Sequence, residues 1–220
     1  MNEVKLVTKL HTSTNRDYLA RVTDVDKAWA AEKATKWGYD YWDGSRSTGY
    51  GGYKYDGRWR TVADALMSFY NLKNGARVLD VGCGKGFLLH DFKEANPSFE
   101  LAGIDVSEYG IEHSMPSVRD DCILGTAANL PWKDDYFDLV ISINTLHNLG
   151  ARELNMALSE IQRVSKANCY ICVESYRDER EKVNLMYWQL TCRAFHVPSD
   201  WKFIFDQSGY QGDYEFIFFE

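Results

Sequence analysis

Residues 78–89 read Val-Leu-Asp-Val-Gly-Cys-Gly-Lys-Gly-Phe-Leu-Leu, and the fold class turns on them. Val78, Leu79 and Val81 form an apolar run too short for a helix and closed off by glycines. A strand buried on both faces of a parallel sheet reads this way. Gly82, Gly84 and Gly86 remove every second Cβ from the turn that follows, so the backbone can adopt positive φ and approach a ligand closely. From Lys85 the pattern resumes at helical spacing, with Phe87, Leu88 and Phe92 as its apolar stripe. Strand, glycine turn and helix predict a nucleotide cradle, because the first N–H groups of a helix have no partner inside it.

The spacing narrows the choice of nucleotide. A dinucleotide fingerprint places its third glycine three residues after the second, where this chain has Phe87. A phosphate loop of the Walker type needs Ser or Thr after its lysine, and Lys85 precedes Gly86. The stretch resembles instead the first motif of class I S-adenosylmethionine-dependent methyltransferases, an acid followed by alternating glycines. That resemblance implies that Asp80 faces the amino acid end of the cofactor, while the backbone of Gly82, Cys83 and Gly84 runs beneath its ribose and methionine.

Outward from the turn, residues 99–105 read as a second parallel strand ending in Asp105, 23 residues beyond Gly82. An acid at the end of that strand can accept from two vicinal ribose hydroxyls, and the resemblance implies that Val106 beside it also meets the cofactor. It can equally cap the helix that follows Val106, and the two roles are compatible. Residues 122–126 read as a third strand, followed by Ala127-Ala-Asn-Leu-Pro-Trp132. This is similar to the family's adenine-binding motif, with Thr126 where the family has an acid, so the resemblance assigns adenine to Thr126 or to the Ala127 backbone. Residues 137–144 form a fourth strand ending at Asn144, a cofactor contact, and His147 lies just past it. His147 is the one catalytic candidate, either as general base or as a histidine held by one fixed hydrogen bond. Residues 168–174 form a fifth strand, which puts Glu174 and Tyr176 at the crevice as acceptor contacts. Family members often carry Lys-Pro-Gly-Gly ahead of this strand, and here the sequence is Lys166-Ala-Asn-Cys.

Helices are expected over residues 60–72, closed by Asn74-Gly75, and over 151–165 and 178–195. Residues 201–205 and 214–219 alternate like two strands joined by a short turn, which permits only antiparallel pairing. The fold expected is α/β, a doubly wound, mostly parallel seven-stranded Rossmann-like sheet with an antiparallel last strand and helices on both faces. The methyltransferase domain would occupy residues 60–220 and an N-terminal extension residues 1–59. Within that extension, residues 1–15 read as an extended arm, and Asn15-Arg16-Asp17 as the cap of a helix reaching Trp29.

Residues 37–59 interleave six glycines with Tyr39, Tyr41, Trp42, Tyr50, Tyr53 and Tyr55. So aromatic a stretch is no disordered linker, and long ordered loops tend to be functional. It reads as a lid or acceptor pocket in which Tyr50 and Tyr53 exclude water and Arg46, Arg58 or Arg60 grips an anionic group. A purely structural cover over a sheet edge is the other reading.

Composition sets the remaining bounds. A net charge of −7 provides no broad field for a phosphate backbone, which counts against nucleic acid as acceptor. No apolar run suggests a signal peptide or approaches the about 18 residues of a membrane span. The five cysteines read as reduced core thiols, so a cytoplasmic address is expected. No metal site is expected: Cys169 and Cys172 match C-x-x-C but fall in a strand, where residues three apart face opposite ways. The chain therefore reads as a methyltransferase using S-adenosylmethionine on a small-molecule acceptor. A methyltransferase acting on RNA or protein and a non-catalytic cofactor-binding module are the alternatives. Acceptor atom and oligomeric state are not legible.

Overall fold

Period-two burial builds the sheet. In β1 (Arg77–Val81), Val78 packs to one side and Leu79 to the other, and the same alternation runs through β4 (Phe137–Ile143) and β5 (Ser165–Glu174). With β2 (Glu100–Asp105), β3 (Cys122–Leu124) and β6 (Asp213–Ile217) these strands form one sheet of order β3-β2-β1-β4-β5-β6, every pairing parallel. The computed structural model of the chain describes residues 1–12 and 16–220.

Helices cover both faces. On one side lie α5 (Arg60–Phe69) and α6 (Phe87–Ala95), which bury Val62, Leu66 and Phe92. On the other, α8 (Ala151–Val164) and α10 (Pro198–Gln207) bury Leu154, Leu158, Ile161, Trp201 and Phe205. The other helices are α1 (Thr8–Thr12), α2 (Ala20–Thr23), α3 (Lys27–Ala34), α4 (Tyr39–Trp42), α7 (Glu108–Glu112) and α9 (Glu179–Trp188). Cys169 and Cys172 face opposite sides of the sheet, as the strand period requires, and all five cysteines are free thiols. Among the described residues no helix is long and apolar enough to cross a membrane.

The C-terminal expectation fails. The sheet has six strands rather than seven, and its last strand runs parallel because residues 201–205 are helical. Trp-Lys-Phe-Ile-Phe satisfies both periods. Strand alternation would bury residues 201, 203 and 205 together, yet Trp201 and Phe205 are buried while Phe203 is 65% exposed. Pro198 at the start of α10 supplies the fixed φ that a first helical turn accepts. A helical crossover then delivers β6 parallel to β5.

The free edge of β6 meets the start of the chain. Val4 N donates to Tyr214 O at 2.9 Å, and Tyr214 N donates to Asn2 O at 3.0 Å. The buried Glu215 carboxylate then accepts from Val7 N (2.9 Å), Thr8 N (2.6 Å) and the Tyr170 hydroxyl (2.5 Å). The arm expected over residues 1–15 is thus bridged to β6 and closes into the one-turn α1. The helix expected to reach Trp29 is broken in two. Asp17 accepts from Ala20 N and Asp26 from Trp29 N, so each starts a short helix of its own; Asn15 lies outside the described residues. Two further boundaries move. Asn71 takes φ +50° just past α5, earlier than Asn74-Gly75, and α9 ends at Trp188 because Arg193 N and Ala194 N turn back to His147 O.

Phe205→Ala should cost about 3–5 kcal/mol of stability, and Phe203→Ala within about 0.5 kcal/mol, both measured by urea unfolding. Equal losses would restore the strand.

Candidate active site

The glycine turn is crowded from several sides. A Cβ on Gly82 would lie 2.0 Å from Thr145 Oγ1, just past β4, and one on Gly84 would lie 2.6 Å from the Trp42 ring. Both glycines also have positive φ, +86° and +54°. The turn is held to β2 by Asp105, whose two carboxylate oxygens accept from Gly84 N and Ser107 N, each at 2.8 Å. Burial pushes the Asp105 carboxyl up, and these N–H donors pull it back.

A cavity of about 360 Å³ lies over this turn. Asp80, Gly82, Cys83, Gly84, Asp105, Val106, Thr126, Ala127 and Asn144, every residue the sequence assigns to the cofactor, line it together. Asp80 stands out, being 5% exposed and receiving no hydrogen bond from a described residue. Burial, and then the charge of Asp105, raise its pKa to about 7. A buried carboxyl without a donor leaves the wall incomplete by one cationic or hydrogen-bonding group. Asn144 has φ +56° and a buried Oδ1 with no partner among the described residues.

Residues 37–59 roof the cavity. Trp42 stacks on Tyr50 (5.6 Å between centroids), Tyr50 packs on Tyr53 (4.3 Å), and Tyr53 stacks on Phe87 at the start of α6 (4.7 Å). The Trp42 indole N–H donates to Ser107 Oγ at 2.8 Å. Lys85, the lysine inside the glycine turn, is buried and donates to both Asp43 carboxylate oxygens at 2.7 Å and to Tyr53 O at 3.0 Å. Burial pushes the Asp43 carboxyl up, but donors from Lys85 and Tyr109 outweigh it and hold it below the usual range. The roof is thus ion-paired to the turn beneath it.

A second cavity of about 200 Å³ adjoins the first and shares Tyr41, Tyr50, Asn144 and Asn148 with it. His147, Glu174 and Arg58 line this one, Tyr53 lines only the first, and Tyr50 lines both. Tyr176 lines neither; it is half-buried beyond β5 with Lys182 Nζ 5.5 Å from its ring. Glu174 N donates to His147 Nδ1 at 3.4 Å, which leaves Nε2 to carry the hydrogen, 3.4 Å from Glu174 Oε2. Burial lowers His147 to about 3 and raises Glu174 to about 8, so near neutral pH this is contact between uncharged groups. Arg58 is already paired with Asp56. The sequence reading passed over Lys85 and Asp43, partners that lie 42 residues apart along the chain. An isolated lysine one residue from a nucleotide-type glycine was the available signal for the first of them.

A family profile described as a methyltransferase domain matches residues 72–209, and the chain belongs to that family. Demethylmenaquinone methyltransferase of Bacillus subtilis is 32% identical over 130 residues, covering 56% of this chain and 54% of that protein. The tRNA (carboxymethyluridine(34)-5-O)-methyltransferase of Arabidopsis thaliana is 31% identical over 134 residues, 59% of this chain and 30% of that protein. The chain therefore spans about half or less of these curated relatives. The solved structure of YcgJ from Bacillus subtilis shares the fold, with a TM-score of 0.55, 22% identity and 66% of each chain covered.

Lys85→Met should remove about 1–3 kcal/mol of stability, because Asp43 loses its counter-charge and keeps only the Tyr109 hydroxyl and the Tyr53 N–H as donors. It should also red-shift tryptophan emission as the roof loosens. Unchanged unfolding and emission would show that the pair does not hold the roof.

Proposed function

We propose that the chain transfers a methyl group from S-adenosylmethionine to a small-molecule acceptor held beneath the aromatic roof. The observation that carries this reading is the pair of adjoining cavities that share Asn144, one lined by the glycine turn with Asp80 and Asp105 under the roof, the other lined in part by Tyr41, Tyr50 and Arg58 of the same segment. The donor set fits the cofactor. Asp80 offers a buried carboxyl to an ammonium group, and Asp105 sits at the strand end where an acid accepts from vicinal hydroxyls. When bound, the cofactor supplies a methyl group that its sulfonium has already made electrophilic.

The chain's task is then orientation and the exclusion of water. Holding two reactants in line can supply on the order of 7–11 kcal/mol of a barrier. Trp42, Tyr50 and Tyr53 exclude solvent, while Asn144, set in a left-handed conformation between the cavities, presents its unpartnered Oδ1 to the ligands. His147 serves as a neutral hydrogen-bonding group that fixes Glu174. Burial makes it too weak a base to take up a proton near pH 7.

An acceptor within RNA is the second reading, favoured by the name of the Arabidopsis relative. The net charge of −7 and a second cavity of only about 200 Å³ weigh against it.

Calorimetry should detect binding of S-adenosylmethionine and S-adenosylhomocysteine, weakened at least about tenfold by Asp105→Ala. Binding of NAD alone would overturn the reading. Because a cationic ligand favours ionised Asp80, binding releases a proton. Affinity should therefore rise by up to about tenfold per pH unit below pH 7 and level off above it. Asp80→Asn should flatten that slope, and an unchanged slope would remove Asp80 from the cofactor site. For His147, ring NMR shifts should stay those of neutral imidazole from pH 8 to pH 5, whereas a midpoint near 6.5 would return it to the role of base.

A further inference from the structure

The second cavity gathers positive charge, and no described carboxylate pairs with its Arg21 or Arg46. Arg16, Arg21 and Arg46 place their guanidinium carbons 5.4, 5.3 and 5.2 Å from the centroid of the Trp188 ring. Each cation is attracted to the ring face, but three on one ring repel one another. The hydrogen bonds of Arg21 and Arg46 go to backbone carbonyls. Arg21 Nε donates to Trp188 O at 3.1 Å, another Arg21 nitrogen donates to Arg46 O, and Arg46 donates to Tyr50 O at 2.9 Å.

The acidic side chain on this wall is Glu174, which accepts from Gln189 and which burial keeps largely protonated up to about pH 8. Burial, followed by the charge of Arg46, lowers Arg21 to about 10. His11, on the same cavity, is kept neutral chiefly by burial, its pKa lowered to about 4. Arg21 and Arg46, brought together without a carboxylate partner among the described residues, carry a standing repulsion that a bound oxyanion would relieve, and their planar forks match its oxygens.

We propose that this cavity seats an oxyanion of the methyl acceptor, a carboxylate or a phosphate, between Arg21 and Arg46 over Trp188. The inference rests on the methyl-transfer reading and narrows it to small acids. Asn144, Asn148, Tyr41 and Tyr50 are common to both cavities, so an acid anchored here can extend its remaining atoms to the cofactor side. Arg21 is half-buried in the wall of this cavity and Arg46 is exposed at its mouth, and a volume of about 200 Å³ suits a compact ligand better than a polymer backbone.

The test is a titration of the full chain with inorganic phosphate and, separately, acetate at constant ionic strength. It reads the Trp188 indole and Arg21 Nε resonances by NMR, with and without S-adenosylhomocysteine. Saturable shifts are expected, with affinity at least about tenfold weaker in Arg21→Gln and in the surface variant Arg46→Gln. Binding of S-adenosylhomocysteine in the same samples reports that each variant is folded. The tighter of the two ions assigns carboxylate or phosphate, and equal affinity supports their shared chemistry. Absence of saturable shifts into the tens of millimolar, or variants that titrate like the parent chain, would overturn the proposal alone. Failure of the parent chain to bind S-adenosylhomocysteine would overturn the methyl-transfer reading and this proposal with it.

Discussion

The backbone from Gly82 to Gly86 is clasped between Thr145 behind β4, the Trp42 ring above it and Val118 beside it, with approaches that leave no room for a Cβ at Gly82 or Gly84. Each neighbour comes from a different part of the chain, so the turn fixes their relative positions as much as they fix it. Asp105 completes the clasp by accepting the Gly84 N–H, which sets the end of β2 against the end of β1. Lys85 works in the opposite direction, reaching out of the turn to hold Asp43 and with it the aromatic roof. A bulkier residue in the turn would displace sheet, roof and cavity together.

That geometry separates charge. On the β1–β2 side, burial and then the charge of Asp105 raise the cost of ionising Asp80. On the β4–β5 side, Arg21 and Arg46 gather at Trp188 with no carboxylate partner among the described residues. Asn144 stands between the two at the end of β4, with a positive φ uncommon outside glycine and an unpartnered buried oxygen. Strain and unsatisfied polarity at a strand end belong to sites whose complement is a ligand. The two cavities share Tyr41, Tyr50, Asn144 and Asn148, and the proposed ligands would set a cation on the aspartate side of these residues and an anion on the arginine side.

The roof adds a further constraint. The stacked series Trp42, Tyr50, Tyr53 and Phe87 joins residues 37–59 to the first turn of α6, so the cover and the cradle form one packed unit. The ends of the chain are joined as well, by the bridge from residues 2–4 to β6 and by the buried Glu215 carboxylate. Residues before the matched family domain therefore contribute both to the sheet edge and to the walls of both cavities.

The sequence by itself determined the features whose physical cause is local. Apolar runs bounded by glycine specify β1 and its turn, the acid at the end of β2 follows from spacing, and the cofactor-side residues converge because each lies at or just beyond the end of a parallel strand. It misjudged residues 201–205, where five residues satisfy the strand and helix periods equally and only burial of Trp201 with Phe205 against the sheet decides for the helix. Of the second cavity the sequence marked Arg46, Arg58, His147 and Glu174 one by one, while their grouping with Arg21 and Trp188 was out of reach. Arg21, Arg46, Glu174 and Trp188 have no shared period or spacing, and they meet because the fold brings α2, the roof, β5 and α9 to one corner. Steric and periodic demands are written in neighbouring residues, whereas electrostatic ones depend on distances that only the packed chain defines.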